Sequence, residues 1–234
     1  MESWEIVGGA RLVGEVRLTG AKNSVLKLMA AALLAPGRTV LTEVPDILDV
    51  DIMGQLLTRL GAQVVHDRPA GAVAIDVPDQ LDHRADYDLV RRMRASISVL
   101  GPLLARCGEA DIALPGGDNI GSRGLDMHIA GLERMGAQVS VQHGYLQAVA
   151  RQLRGSTIWL DFPSVGATES LLMAAVTAEG RIVIDNAARE PEIVDIANMM
   201  VQMGAQISGI GTSTLTVEGV DVLQPVHHVT VSDR

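Results

Sequence analysis

Met135-Gly136-Ala137-Gln138-Val139 occurs in three versions along this chain, the others being Leu60-Gly61-Ala62-Gln63-Val64 and Met203-Gly204-Ala205-Gln206-Ile207. In each copy a helical pattern precedes the glycine, and alternating or β-branched residues follow it. Glycine at such a boundary is a natural helix C-cap, because it reaches the left-handed backbone region without a Cβ clash. The punctuation recurs at intervals of about 70 residues, so one structural unit is used three times. A chain of 234 residues then reads as one repeat-built domain.

Outward from each glycine, periodicity predicts a first helix over 24–35, 89–106 and 168–178, rich in Ala, Leu and Met and apolar around much of its circumference, hence buried. A second helix is predicted over 49–60, 125–135 and 192–203. These second helices have mixed faces and are expected to be more exposed; Ile193, Ile196, Ala197 and Met200 oppose Glu192, Asp195 and Asn198. Strands are predicted over 11–18, 39–42, 64–66, 73–77, 110–114, 138–142, 145–150, 156–162, 181–185, 206–208 and 214–218, separated by turn signals such as Pro36-Gly37 and His143-Gly144. Two helices and several strands per unit make an α/β domain.

Hydrophobic residues make up 47% of the chain and charged residues 20%, enough to bury a sizeable core. Aromatic residues are only 2%, beside 10 Met, so that core is aliphatic and base-stacking surfaces are scarce. With a net charge of -9, no nucleic-acid partner is expected, and an anionic ligand must be held by local cations and amides. The longest apolar run, Val25 to Ala35, contains Lys27 and is far shorter than the ~20 residues of a membrane span; no membrane insertion and no signal peptide are expected. Cys107 is the sole cysteine, which excludes an internal disulfide and fits a reducing, cytoplasmic setting. Scattered histidines offer no metal-ligand spacing, and no P-loop, nucleophile elbow or dinucleotide fingerprint is present, so no metal and no cofactor are expected.

Chemistry concentrates in five stretches. Leu114-Pro115-Gly116-Gly117-Asp118-Asn119-Ile120-Gly121-Ser122-Arg123-Gly124 runs into a helix; its glycines bring amides close to a ligand, while Asp118 and Arg123 add an acid and a cation. By residue type alone, Asp118 is also an ordinary turn former. Lys22, in Gly20-Ala21-Lys22-Asn23, sets an ammonium beside the free amides of a helix start, which suits phosphate or carboxylate and equally describes a solvated lysine. Arg91, Arg92 and Arg94 form a basic cluster on a helix whose continuation, Ala95 to Leu104, is largely apolar, with the same two readings. Pro163-Ser164-Val165-Gly166-Ala167-Thr168-Glu169 opens a buried helix with good capping residues. Glu190, in Asn186-Ala187-Ala188-Arg189-Glu190-Pro191, is by default a first-turn helix carboxylate. Asp126 and His128, two positions apart, do not share a helix face, so no dyad is expected.

Taken in this order and spread over nearly the whole chain, the five stretches resemble the UDP-N-acetylglucosamine 1-carboxyvinyltransferases, the enolpyruvyl transferase family of peptidoglycan synthesis. The resemblance implies three βαβαββ-type units with helices inside and sheets outside, in chains of two such domains. It implies repeats over about 20–82, 83–150 and 151–222, an N-terminal strand segment over 1–19 that pairs with the second domain, and a hinge over 223–234. It implies phosphoenolpyruvate and UDP-N-acetylglucosamine as substrates, with a second-half domain as partner and source of the general base. Asp118 stands where most relatives carry cysteine, and becomes the proton donor to C3. Lys22 and Arg94 become phosphoenolpyruvate contacts, Asn23 a polar contact to the reacting groups, and Arg123 the arginine that closes on substrate phosphates. Ser164, Val165 and Gly166 become uridine-diphosphate contacts, and Glu190 faces the same cleft. Aspartate in the cysteine position implies insensitivity to fosfomycin. The alternative is a UDP-sugar-binding module without turnover, or an inactive fragment.

Overall fold

The computed structural model describes residues 3–85, 87–90, 92–114 and 124–234. The first unit holds α1 (Lys22–Ala31), a 3-10 turn (Ala32–Leu34), β1 (Gly37–Thr42), α2 (Leu48–Arg59), β2 (Gln63–Asp67) and β3 (Ala72–Val77). The second holds β4 (Arg84–Ala85), α3 (Tyr87–Val90), a 3-10 segment (Arg94–Val99), α4 (Leu100–Cys107), β5 (Glu109–Ala113), α5 (Asp126–Arg134), β6 (Gln138–Gln142) and β7 (Tyr145–Val149). The third holds β8 (Arg154–Trp159), α6 (Val165–Ala175), β9 (Glu179–Asp185), α7 (Pro191–Gln202), β10 (Gln206–Ser208) and β11 (Thr214–Glu218), after which comes β12 (His227–Val229).

Three four-stranded sheets share one connectivity. β4 runs parallel to β5, which pairs antiparallel with β7 and through it with β6. β8, β9, β11 and β10 repeat that pattern. In the first sheet the place of β4 and β8 is taken by β12, parallel to β1 with Val40 opposite His227 and Thr42 opposite Val229. Every unit therefore reads βαβαββ once β12 is assigned to the first, and the C-terminal strand closes the ring of repeats.

Gly61, Gly136 and Gly204 end α2, α5 and α7 at φ of 106°, 93° and 106°. At each end the amide after the glycine returns to the helix, Ala62 to Leu57 O, Ala137 to Leu132 O and Ala205 to Met200 O at 3.0, 3.0 and 2.9 Å. This closure satisfies helical carbonyls that would otherwise lack donors, and it turns the chain directly into β2, β6 and β10. The core is aliphatic, as composition required. Leu28, Met29 and Leu33 from the first unit meet Leu100, Leu103 and Leu104 from the second and Leu171, Leu172 and Met173 from the third in one buried cluster.

Three expectations differ from the structure, and two short strands were not expected. The helix over 89–106 is broken. Pro102 has no N–H to donate and its ring would press on the carbonyl of Ser98, so Arg94–Val99 takes the tighter 3-10 form and the α-helix begins at Leu100. The second helices are not uniformly the exposed ones: in α7 only Asn198 of the expected polar face is exposed, while Glu192 and Asp195 are buried. No strand forms over 11–18. Leu12 and Val16 alternate with polar neighbours but are 93% and 86% exposed, because no strand lies beside them to complete a ladder. β4 and β12, two and three residues long, are too short to leave a pattern. Among the described residues, no helix is long and apolar enough to cross a membrane.

Candidate active site

Three helices start at one end of the domain. The Ser24 hydroxyl, in the first turn of α1, donates to Asp195 of α7. Lys27, a turn further along α1, lies 3.6 Å from Glu169 of α6. Thr168 of α6 accepts from the Ala188 amide, just ahead of α7, at 3.0 Å. The N-terminal turns of α1, α6 and α7 are thereby level, and their unpaired amides give that end a positive potential suited to anions.

Most of the described candidate residues sit on this end. Lys22 and Asn23 are the first two residues of α1 and both are exposed. The Lys22 ammonium is ion-paired with Asp49 in the first turn of α2. Ser164 is the N-cap of α6, its hydroxyl accepting from the Ala167 amide at 3.3 Å, and Val165 and Gly166 form the half-buried first turn. Glu190 precedes Pro191 at the start of α7, and its Oε2 accepts from the Arg189 amide at 2.9 Å. Arg94 opens the 3-10 segment that packs against α1 and α6. Asp118 and Arg123 lie outside the described residues.

His128 joins two of these groups. It is only 6% exposed, and a Cβ added to Gly166 would lie 3.4 Å from its Nε2, so the ring packs on the Ser164–Gly166 turn. Burial pushes its pKa down to about 4, and the Arg94 charge adds to that; the Gly166 backbone and Asp126 oppose it more weakly. His128 is therefore neutral at pH 7, wedged between the arginine and the helix start that the motifs singled out.

A layer of buried charge lies one turn below. Lys27 donates to the Asn23 carbonyl at 2.6 Å and pairs with Glu169. Burial raises the Glu169 pKa to about 7; Lys27 opposes the shift and Glu192 adds to it. Glu192 in turn lies 3.4 Å from Arg234. Sequence reasoning missed this layer, and it placed Glu169 in a cap, although the capping-box position after Ser164 is Ala167. The signal was present: Lys27 interrupts the longest apolar run, and Glu169 heads a helix with no polar face, so both charges had to be buried and paired. Asp49, by contrast, gave no sign of its bond to Lys22.

Three βαβαββ units whose internal helices start at one end of the domain define an enolpyruvyl-transferase-type fold. The chain belongs to the EPSP synthase (3-phosphoshikimate 1-carboxyvinyltransferase) family, whose sequence profile matches residues 6–234. It is 57% identical to the UDP-N-acetylglucosamine 1-carboxyvinyltransferase of Corynebacterium jeikeium, 58% to that of Nocardia farcinica and 55% to that of Mycobacterium tuberculosis, in each case over 100% of this chain. The chain spans about half of those relatives, 55%, 56% and 55% of their lengths. In structure it is similar to the enolpyruvyl transferase NikO from Streptomyces tendae, with a TM-score of 0.84 at 24% identity over 97% of this chain and 53% of that one. It is also similar to EPSP synthase from Acinetobacter baumannii, with a TM-score of 0.74 at 19% identity over 94% and 50%.

Proposed function

We propose that this chain forms the anion-clamping, proton-donating half of a site that transfers the enolpyruvyl group of phosphoenolpyruvate to UDP-N-acetylglucosamine, the entry reaction of peptidoglycan synthesis. The observation that supports the reading is that Lys22 and Asn23 open α1, Ser164 caps α6 and Glu190 precedes α7 at one end of the domain, with Arg94 in the 3-10 segment packed on α1 and α6. In the reaction a sugar hydroxyl oxygen adds to C2 while C3 takes a proton; phosphate then leaves C2 and a proton leaves C3, restoring the double bond. Two polyanions must be held together, so cations and helix amides are needed before any acid or base can act.

Lys22 and Arg94 take the carboxylate and phosphate of phosphoenolpyruvate, and Asn23 orients the reacting hydroxyl. Ser164, Val165 and Gly166 hold the diphosphate at the α6 start, with Glu190 facing the same cleft. Arg123 closes on the phosphates. Asp118 gives the proton to C3. A carboxyl at its ordinary pKa of ~3.9 is ionised at pH 7, but enclosure beside bound anions raises it into the range of a working acid. Because a carboxylate is a weaker nucleophile toward an epoxide than a thiolate, an enzyme with Asp118 turns over in the presence of fosfomycin. The general base and the remaining cations belong to a second domain, and the setting is cytoplasmic.

Phosphate release from the two substrates tests this. The isolated chain is expected to release little, and the chain joined to a second half taken from a relative is expected to release phosphate at a rate many powers of ten higher. Release by the isolated chain at the rate of the joined protein would show that the site is complete without a second half.

A further inference from the structure

Asp195 is a carboxylate where helical patterning places a solvent-facing residue, yet it is 7% exposed and fully engaged. Its Oδ2 accepts from the Ser24 hydroxyl and, at 3.1 Å, from the Val231 amide. Its Oδ1 lies 2.8 Å from His228 Nε2. A carboxylate only accepts, so Nε2 carries the hydrogen, and Nδ1 meets the Gln202 side chain at 3.1 Å. One side chain of α7 thus holds the first turn of α1 and the strand that contains β12.

Those two segments are also tied to each other. Ala21 donates to Val231 O at 2.7 Å, Asp233 donates to Thr19 O at 2.9 Å, and Gly20 bridges Ser232 in antiparallel register. Gly20 leaves no room for adjustment, since a Cβ there would fall 1.8 Å from the Glu43 carbonyl oxygen. Lys22 and Asn23 follow at once, and Ser24 is the next residue. Burying a carboxylate and an imidazole in an aliphatic core is costly compared with packed hydrocarbon, and the recognised return for such a cluster is a fixed register.

We infer that Asp195 is a positioning residue: through Ser24 and the 228–231 segment it fixes where α1 begins and so where Lys22 and Asn23 stand for the anion. The inference rests on the proposed role of Lys22 and Asn23, but the placement itself can be read without any ligand. Asp195→Asn keeps the shape but replaces one accepting oxygen with an NH2 group, so either a donor at Oδ2 loses its acceptor or the His228 ring must give up its Nε2 hydrogen. Ser24→Ala removes a single bond, and Met199→Ala, in the buried middle of α7, is the control for lost stability alone.

The test is amide exchange and backbone resonance positions by NMR on the 234-residue chain, with phosphoenolpyruvate titrated into the same samples. In Asp195→Asn, exchange at Ala21 and Val231 should quicken at least tenfold, and the Lys22 and Asn23 resonances should move. Ser24→Ala should do the same to a lesser degree, and Met199→Ala should do neither despite a lower melting temperature. Where phosphoenolpyruvate binds the parent chain, Asp195→Asn should weaken it about tenfold. Unchanged Lys22 and Asn23 resonances and unchanged protection at Ala21 in folded Asp195→Asn would overturn the inference. A parent chain that binds no phosphoenolpyruvate would count against the proposed function and leave the exchange result standing.

Discussion

Glu169 and His128 are buried titratable groups at the same end of the domain, and burial drives their pKa values in opposite senses. The folded state holds the Glu169 proton more tightly than an unfolded chain does, with a pKa of about 7 against 4.5. Its stabilising contribution is therefore complete below pH 4.5 and is lost as pH rises to about 7, a change on the order of 3 kcal/mol. His128 runs the other way: its pKa falls from 6.5 to about 4, so its contribution is present above pH 6.5 and is lost as pH falls toward 4. We expect Glu169→Gln to gain stability relative to the parent as pH is raised from 5 to 8, read as a widening difference in urea midpoint. A constant difference over that interval would show that Lys27 keeps Glu169 ionised throughout. At this scale a motif marked the helix starts that carry Lys22 and Ser164, whereas Lys27 and Glu169 left a sign, a charge inside an apolar run and one on a helix with no polar face, that was not read. Asp195 and His228 were not legible, because a polar residue every few positions on a helix or strand looks like a solvated face until the neighbouring segment is known.

Elements were legible wherever backbone chemistry punctuates them. The three Gly-Ala-Gln copies located three helix ends and the strands that follow, because a glycine at φ near 100° is a local requirement that tertiary packing does not override. Elements set by distant partners were not: β12 exists because β1 lies beside it, and the 11–18 alternation lacks such a neighbour. Gly101 is the sharpest case of a requirement with no local sign. A Cβ at this position in α4 would lie 2.4 Å from the Ser170 carbonyl oxygen of α6, so the two helices meet backbone to backbone. Gly101→Ala should raise intrinsic helix propensity yet destabilise the domain by about 2–3 kcal/mol through overpacking. Gly136→Ala, where a Cβ would meet nothing within 4 Å, should cost only the backbone strain of about 1–2 kcal/mol. Chemical denaturation of both variants checks the order, and Gly101→Ala being the milder change would mean that α4 and α6 separate easily.

For the whole molecule, the repeat period was enough to give three units of α/β class, the arrangement of helices and sheets came only from the family resemblance, and the closure by β12 needed the structure. On the proposed role of Lys22, closure bears on function, because the strand that completes the first sheet also reaches Asp195, which bonds the first turn of α1. We propose that this half supplies the acid as well as the clamp. The most direct measurement is turnover and substrate binding by Asp118→Asn in the protein joined to a second half. Asparagine keeps the size and turn-forming character of aspartate but has no proton to give, so we expect both substrates to bind with little change while phosphate release is lost. An Asp118→Asn protein that turns over at the parent rate would contradict the claim and reduce Asp118 to a turn residue.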